Sequence, residues 1–130
     1  MTMSDEAMYF PVRGLPGVRD SVAAAYDGRW RVLDSNGREL AAHEPALGDV
    51  TLSLRFGYLV LRAPGMLRLD IPLDVLEDDA SVIETVQLEG EVRQAVDEGA
   101  WAAAWLSEVA GRPLRLVKLL DADIDTPAGR

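Results

Sequence analysis

Arg13, Arg29 and Arg31 are the residues of this chain whose type and spacing best suit binding chemistry. Arg13 sits among glycine and proline, while Arg29 and Arg31 alternate around Trp30 and share one face of an extended stretch. A guanidinium presents a fixed fork of donors, so such a set could hold a phosphate or carboxylate. The alternative is that these arginines balance the many surface acids. Other candidates are weaker. His43 beside Glu44 could pair a base with an orienting acid, but neighbours on an extended chain point to opposite faces. No Gly-x-Ser-x-Gly run marks a nucleophile. Glu77-Asp78-Asp79 could hold a divalent cation, yet adjacent acids in a turn are ordinarily solvated. Asp121-Ala122-Asp123-Ile124-Asp125 opens like a calcium loop, which needs Gly at its sixth position and Glu at its twelfth. Thr126 occupies the sixth, and the sequence stops before the twelfth. No catalytic residue and no metal ligand is therefore assigned.

Composition narrows the chemistry further. The 130 residues carry a formal net charge of −9 and 48% apolar residues. That length suits one domain with a real core, and that apolar content argues against disorder. The acidic balance disfavours nucleic acid and anionic membrane surfaces, both of which need a basic face. With no Cys, thiol catalysis, disulfides and cysteine-ligated zinc or iron–sulfur sites are excluded. A single His removes multi-histidine metal sites. No apolar window is long enough to span a membrane, and the acidic N-terminus lacks a signal-peptide core. A cytoplasmic protein is expected.

The elements that must position these side chains are mostly strands. Val50, Leu52, Leu54 and Phe56 alternate with Thr51, Ser53 and Arg55; Leu59 and Leu61 follow after Gly57; Leu67, Leu69, Ile71 and Leu73 follow Pro64-Gly65. These predict a three-stranded meander with one apolar face. Shorter strands are predicted over 8–12, 21–26 and 29–33. Asn36-Gly37 then turns the chain into a returning strand over 38–42. Two further strands, 82–88 and 91–96, flank Gly90, and the last, 114–120, has apolar residues on both faces. Such a strand is either buried on both sides or carries a bulge. One helix is predicted, about 98–110. Trp101, Ala102, Trp105, Leu106 and Val109 form its apolar stripe, Asp97 is its N-cap, and Gly111 and Pro113 end it. The fold class is mainly β: a small antiparallel barrel or rolled sheet closed by one amphipathic helix. Residues 8–120 are expected to form a single domain, with a flexible tail over 1–7 and an acidic one over 121–130.

Four segments resemble a known family. Phe10-Pro11-Val12-Arg13 is similar to an opening Tyr-Pro-Val-Lys, and the run Asp27 to Asp34 to an Asp-Arg-Arg-Trp-Met-Leu-Val-Asp motif. Leu61 to Met66 is similar to a Leu-Ser-Ala-Pro-Gly-Met hairpin. The segment Trp105-Leu106-Ser107-Glu108 to Gly111-Arg112-Pro113-Leu114-Arg115-Leu116-Val117 is the most specific match. On these residues the chain resembles the MOSC N-terminal β-barrel domain. That family is related to the C-terminal part of molybdenum-cofactor sulfurases and includes the mitochondrial amidoxime-reducing components. The resemblance covers about residues 9–119 and implies a mainly β barrel with one docked helix. It also implies that this domain helps hold a pterin phosphate, ahead of a MOSC domain that carries the metal-binding Cys.

The sequence departs from the pattern at telling places. Arg13-Gly14 replaces the Lys-Ser pair, Gly28 replaces the first Arg before Trp30, and Ala42 stands where an Arg often follows. The resemblance implies a molybdenum cofactor, but its chemistry is not carried over, and Arg13 and Arg29 would keep at most a reduced anion-binding corner. Three functions are expected in turn. The first is a non-catalytic accessory or interaction module. The second is a binding domain for a phosphate-bearing small molecule, pterin-like, using Arg13 and Arg29. The third is one half of a split enzyme that docks a separate Cys-bearing MOSC-like chain. An enzyme built on His43 comes last.

Overall fold

The computed structural model describes residues 8–40, 44–73, 83–88 and 90–120. The predicted meander is there: β3 (Thr51–Arg55), β4 (Tyr58–Arg62) and β5 (Leu69–Pro72) form a three-stranded antiparallel sheet. The second sheet runs in the order β1 (Val12–Arg13), β2 (Trp30–Asp34), β8 (Leu114–Leu119), β7 (Glu91–Asp97), β6 (Ile83–Leu88). Among the described strands only β1 and β2 pair in parallel. One helix, α1 (Ala100–Ala110), precedes β8. The fold is thus mainly β with one docked helix, and its described strands form two sheets and no closed barrel. Among the described residues no helix is long and apolar enough to cross a membrane.

Burial explains the arrangement. The main core takes Leu52, Leu59, Leu61, Leu69 and Ile71 from the three-stranded sheet. Val12, Trp30, Val32, Leu114 and Leu116 come from the five-stranded sheet, and Ala102, Trp105 and Leu106 from α1. Each aliphatic side chain so buried contributes roughly 1.5–3 kcal/mol. A second cluster, Leu33, Val86, Leu88, Ala95, Val117 and Leu119, lies on the opposite face of the five-stranded sheet. Strand β8 therefore serves both cores, and its register against β2 is unbroken from Lys118 to Leu114. Burial on both sides, with no bulge, accounts for its double-faced sequence. The second cluster contains residues of this one sheet only. Among the described residues the sheet must cover its own apolar face, which it does by curling.

Several local expectations are corrected. Residues 21–26 form a 3-10 helix, Ser21–Tyr26, instead of a strand. Three consecutive alanines suit a helical turn better than a ladder, and the Asp20 carboxylate caps it by accepting from the Val22 N–H at 3.0 Å. The returning strand over 38–42 is reduced to a single bridge between Leu33 and Glu39, and residues 41 and 42 lie outside the described set. Strand β6 starts at Ile83, and position 82 also lies outside. Helix α1 starts at Ala100 with Gly99 (φ 109°) as N-cap, not at 98 with Asp97 as cap. The Asp97 carboxylate instead accepts from the Gly99 N–H at 2.6 Å, and β7 runs through Asp97. The helix ends as expected at Gly111, in the left-handed conformation. The predicted stripe is narrower than expected: Trp105 is buried with its indole N–H on the Leu67 carbonyl at 2.6 Å, whereas Trp101 is 73% exposed. Leu67, at 80% exposure, precedes β5 and does not join its inward face.

Phe56 is the clearest departure. The alternation predicts it inward, beside Val50 and Leu52, but it is 93% exposed. The β3–β4 turn places Phe56 at φ 51° and Gly57 at φ 84°, the pair of positive values that a two-residue hairpin prefers. An aromatic residue tolerates that region poorly, whereas Asn enters it readily. Replacing Phe56 by Asn should therefore raise stability by about 0.5–1 kcal/mol, seen as a higher urea midpoint at unchanged slope. A lower midpoint would show that the turn is not strained.

Candidate functional site

Because the five-stranded sheet curls without closing, a cleft of about 750 Å³ remains between the segment Asn36–Leu40 and strand β6. Arg13, Arg38 and Arg115 line it, together with Glu39, Thr85 and Gln87. The Asn36-Gly37 turn sets one wall. The Asp34 carboxylate accepts from the N–H groups of Asn36 at 2.8 Å and Arg38 at 3.0 Å. The Arg38 bond is the main cause that holds the Asp34 carboxyl below its ordinary range. This turn leaves the Arg38 side chain exposed on the cleft wall.

The other charges are ordered by neighbours. Arg31, only 7% exposed, donates from Nη1 to Glu39 Oε2 at 3.0 Å and from Nε to the Gly28 carbonyl at 3.1 Å. It ties β2 to the Asn36–Leu40 wall from behind. Arg115 donates from Nη1 and Nη2 to the two Glu84 oxygens at 2.8 and 2.9 Å, and from Nη1 to Asp97 Oδ2 at 2.9 Å. Hydrogen bonding by Glu84, with Asp97 adding to it, holds the Arg115 guanidinium above its ordinary pKa. Arg115 thereby joins β8 to β6 and β7 and forms part of the cleft lining. The arrangement can receive an anionic group, with Arg38 at the wall and Arg13 beside it.

A second polar cluster lies away from the cleft. The Trp30 indole N–H donates to Glu98 Oε2 at 2.7 Å. Lys118 Nζ donates to the Leu73 carbonyl at 2.7 Å and sits 5.4 Å from the Trp30 ring centroid. Burial pushes the Glu98 carboxyl up from 4.5, while Trp30 and Lys118 act in the opposite direction and Asp97 adds a smaller upward push. A carboxyl raised in the folded state binds protons better folded than unfolded. Its contribution is complete below about 4.5 and is lost as pH rises through the folded value. Gln at position 98 keeps an acceptor for Trp30 but does not titrate. Glu98→Gln should thus flatten the fall in stability with rising pH, read from urea midpoints between acid and neutral pH. Parallel profiles for the two proteins would refute this assignment.

The structure separates the three arginines singled out by the sequence. Arg13 lines the cleft, and Arg31 lies behind its wall. Arg29 is not among the lining residues, and its guanidinium stacks 5.7 Å from the Tyr26 ring centroid. His43, Glu77 to Asp79 and Asp121 to Asp125 lie outside the described residues. Glu44 accepts from Arg112 at 3.1 Å and from the Ala46 N–H at 3.3 Å. Among the described residues no group of three or more acids or histidines could hold a metal ion. Arg38 and Arg115 were missed. Arg38 follows the Asn-Gly turn directly, and Arg115 is, with Lys118, one of two charged residues in a strand that buries apolar residues on both faces.

Comparison with known proteins gives three findings. A family model described as the MOSC N-terminal beta barrel domain matches residues 5–113. A molybdenum cofactor sulfurase from Danio rerio is 34% identical over 97 residues, which cover 72% of this chain and 12% of that protein. The chain thus spans about an eighth of that relative. A solution structure of a protein from Bordetella bronchiseptica is similar at 43% identity and a TM-score of 0.78, covering 98% of this chain and 96% of its own.

Proposed function

Because the chain belongs to the MOSC N-terminal β-barrel domain family, we propose that it is a non-catalytic binding module whose arginine-lined cleft holds an anionic group. The observation that carries this reading is the gathering of Arg13, Arg38 and Arg115 around one cleft in a chain of net charge −9. Clefts of several hundred Å³ are the usual size for small-ligand sites. The reading takes up the phosphate-binding expectation with a changed set of residues: Arg38 stands in the cleft where Arg29 was expected.

The donor set does not fit the molybdenum cofactor as a catalytic group. The chain has no Cys to supply a thiolate ligand. Gly14 offers no hydroxyl, and Arg29 is turned to Tyr26 away from the cleft lining. What the described residues of this chain offer at the cleft is charge and hydrogen-bond donors.

Titration of labelled protein with inorganic phosphate and pyrophosphate, followed by amide NMR, tests the reading. Signals of Arg13, Gly37 and Arg38 should move together and saturate, while those of Trp101 and Arg29 stay in place. Arg38→Glu should weaken the response by about tenfold, as expected for reversing one contacting charge. No movement at these three residues through the millimolar range would overturn the proposal.

A further inference from the structure

The cleft is bounded by consecutive residues. One wall is Asn36, Gly37, Arg38, Glu39 and Leu40, and the other includes Thr85, Val86 and Gln87. Successive side chains of an extended strand point to opposite faces. A cavity that meets one face of a strand is lined by every second residue. Strand β6 lines the cleft with three residues in a row, so the cleft meets it at its backbone edge; on the other wall Asn36 and Gly37 belong to a turn, and Glu39 holds the single bridge to β2.

Both edges have hydrogen-bonding groups directed outward. Strand β6 ends the five-stranded sheet and pairs with β7 on one side only, among the described residues. Every second residue of such an edge turns its N–H and C=O away from the sheet. On the opposite wall, the Asp34 N–H donates to the Arg38 carbonyl at 2.8 Å and the Leu40 N–H donates to the Val32 carbonyl at 3.0 Å. These bonds flank the Leu33–Glu39 bridge. In that antiparallel pattern the N–H and C=O of Glu39 point away from β2. Strand β6 is also poorly guarded. The Glu84 carboxylate turns to Arg115, and the exposed side chains of β6 facing the cleft, Thr85 and Gln87, carry no charge. Edge strands that are protected usually display an outward charge or a proline.

Resting on the anion-binding reading of this same cleft, we propose that the cleft is the seam of an unclosed roll and accepts an extended acidic peptide segment of a partner protein as an added strand between Asn36–Leu40 and β6. Backbone bonds to Glu39 and to β6 supply register-tolerant affinity, as in other strand-addition complexes. Arg38 and Arg13 supply the preference for acidic side chains. The charge sense rests on the exposed Arg38 with Arg13 beside it, since Glu39, the one carboxylate of the lining, is paired with Arg31. Arg115 is already balanced by Glu84 and Asp97, so charge reversal at the exposed Arg38 is the discriminating change.

The test uses the full chain and three ten-residue probes: alternating Val-Glu, alternating Val-Lys, and Val-Glu with N-methyl groups on every second amide. Fluorescence anisotropy of labelled probes reads binding, and amide hydrogen exchange reads where it occurs. The Val-Glu probe should bind and slow exchange at Glu39 and within Thr85–Gln87 by about tenfold or more. The N-methylated and Val-Lys probes should bind at least about tenfold more weakly, and Arg38→Glu should cost the Val-Glu probe about as much. Equal binding of the N-methylated probe, or binding without protection at Glu39 and Thr85–Gln87, overturns strand addition. Phosphate-induced shifts at Arg38 with no peptide binding leave a small-anion site and overturn the peptide assignment alone. Failure of both phosphate and peptide overturns both readings.

Discussion

Replacing Trp30 by Ala is expected to remove about 3–5 kcal/mol of stability, the largest single loss in this chain. Trp30 is fully buried in the main core, where β2 is held between β1 and β8. Its ring stacks 6.1 Å from Tyr26 at 27° and lies under Lys118. Truncation leaves a cavity that these neighbours cannot fill, because β2 is anchored by ladders on both sides. It also strips Glu98 of its indole donor. A half-buried carboxylate without that bond is costlier to keep ionised, so the loss should grow as pH rises. Against a total stability of order 5–15 kcal/mol, the variant would be marginal. At about 4 °C per kcal/mol, its melting temperature should fall by roughly 12–20 °C. Trp30→Phe separates the two contributions: it keeps most of the ring but not the donor. Combined with Glu98→Gln, it should lose less than the sum of the two single changes, because the first removes and the second weakens the same charge-assisted bond. A loss below about 1 kcal/mol for Trp30→Ala would show that the two-sheet core does not hinge on this residue.

The same residue shows how much of the molecule is legible in its sequence. The alternation around Trp30 and the meander from Val50 to Leu73 state a period of two, the run Leu114–Leu119 carries apolar residues on both faces, and all of them became strands. Helix α1 was legible because Gly111 and Pro113 end it and because Trp105 and Leu106 fall on one face. Trp101 is exposed because it lies at the margin of the face that Ala102, Trp105 and Leu106 bury. Periodicity fixes a face but does not say where the neighbouring surface stops. Phe56 was misplaced for a related reason: alternation continues formally into a turn whose positive φ values reverse the direction of the side chain. The site was least legible. Arg29 and Arg31 share a strand face in sequence, yet Arg31 is engaged by Glu39 and Arg29 by Tyr26, contacts set by the turns on either side of β2. The cleft itself arises from the curl that brings β6 towards Asn36–Leu40, and curl is a property of the packed sheet that no short motif records.

Arg115 should be the second most costly position, and its replacement by Met should lower stability by about 2–3 kcal/mol. Its guanidinium bridges three strands through Glu84 on β6 and Asp97 on β7. Removing it leaves two carboxylates near one another with no common cation, and breaking such a network costs about 3–5 kcal/mol when it is fully buried. Here the three side chains keep about a third of their surface exposed, 32%, 35% and 36%. Water therefore takes up part of the lost interaction, and the expected figure is correspondingly lower. Met retains the apolar length of the side chain, so the loss reports charge and hydrogen bonds more than packing. The partner substitution Glu84→Gln tests the same geometry from β6. Gln keeps one acceptor and removes the charge, so it should cost less than Arg115→Met, and the double variant should be nearer to the parent than the sum of the singles. Urea unfolding measures the stabilities, and amide exchange measures where structure is lost. Faster exchange in Arg115→Met should be concentrated in β6, whose pairing to β7 and whose clamp through Glu84 hold it to the sheet. Since β6 is one wall of the cleft, phosphate binding should weaken even though Arg115's own donors are engaged by Glu84 and Asp97. Unchanged exchange in β6 together with full stability would show that the ladder alone keeps the roll in shape, and that Arg115 serves the cleft only by its charge.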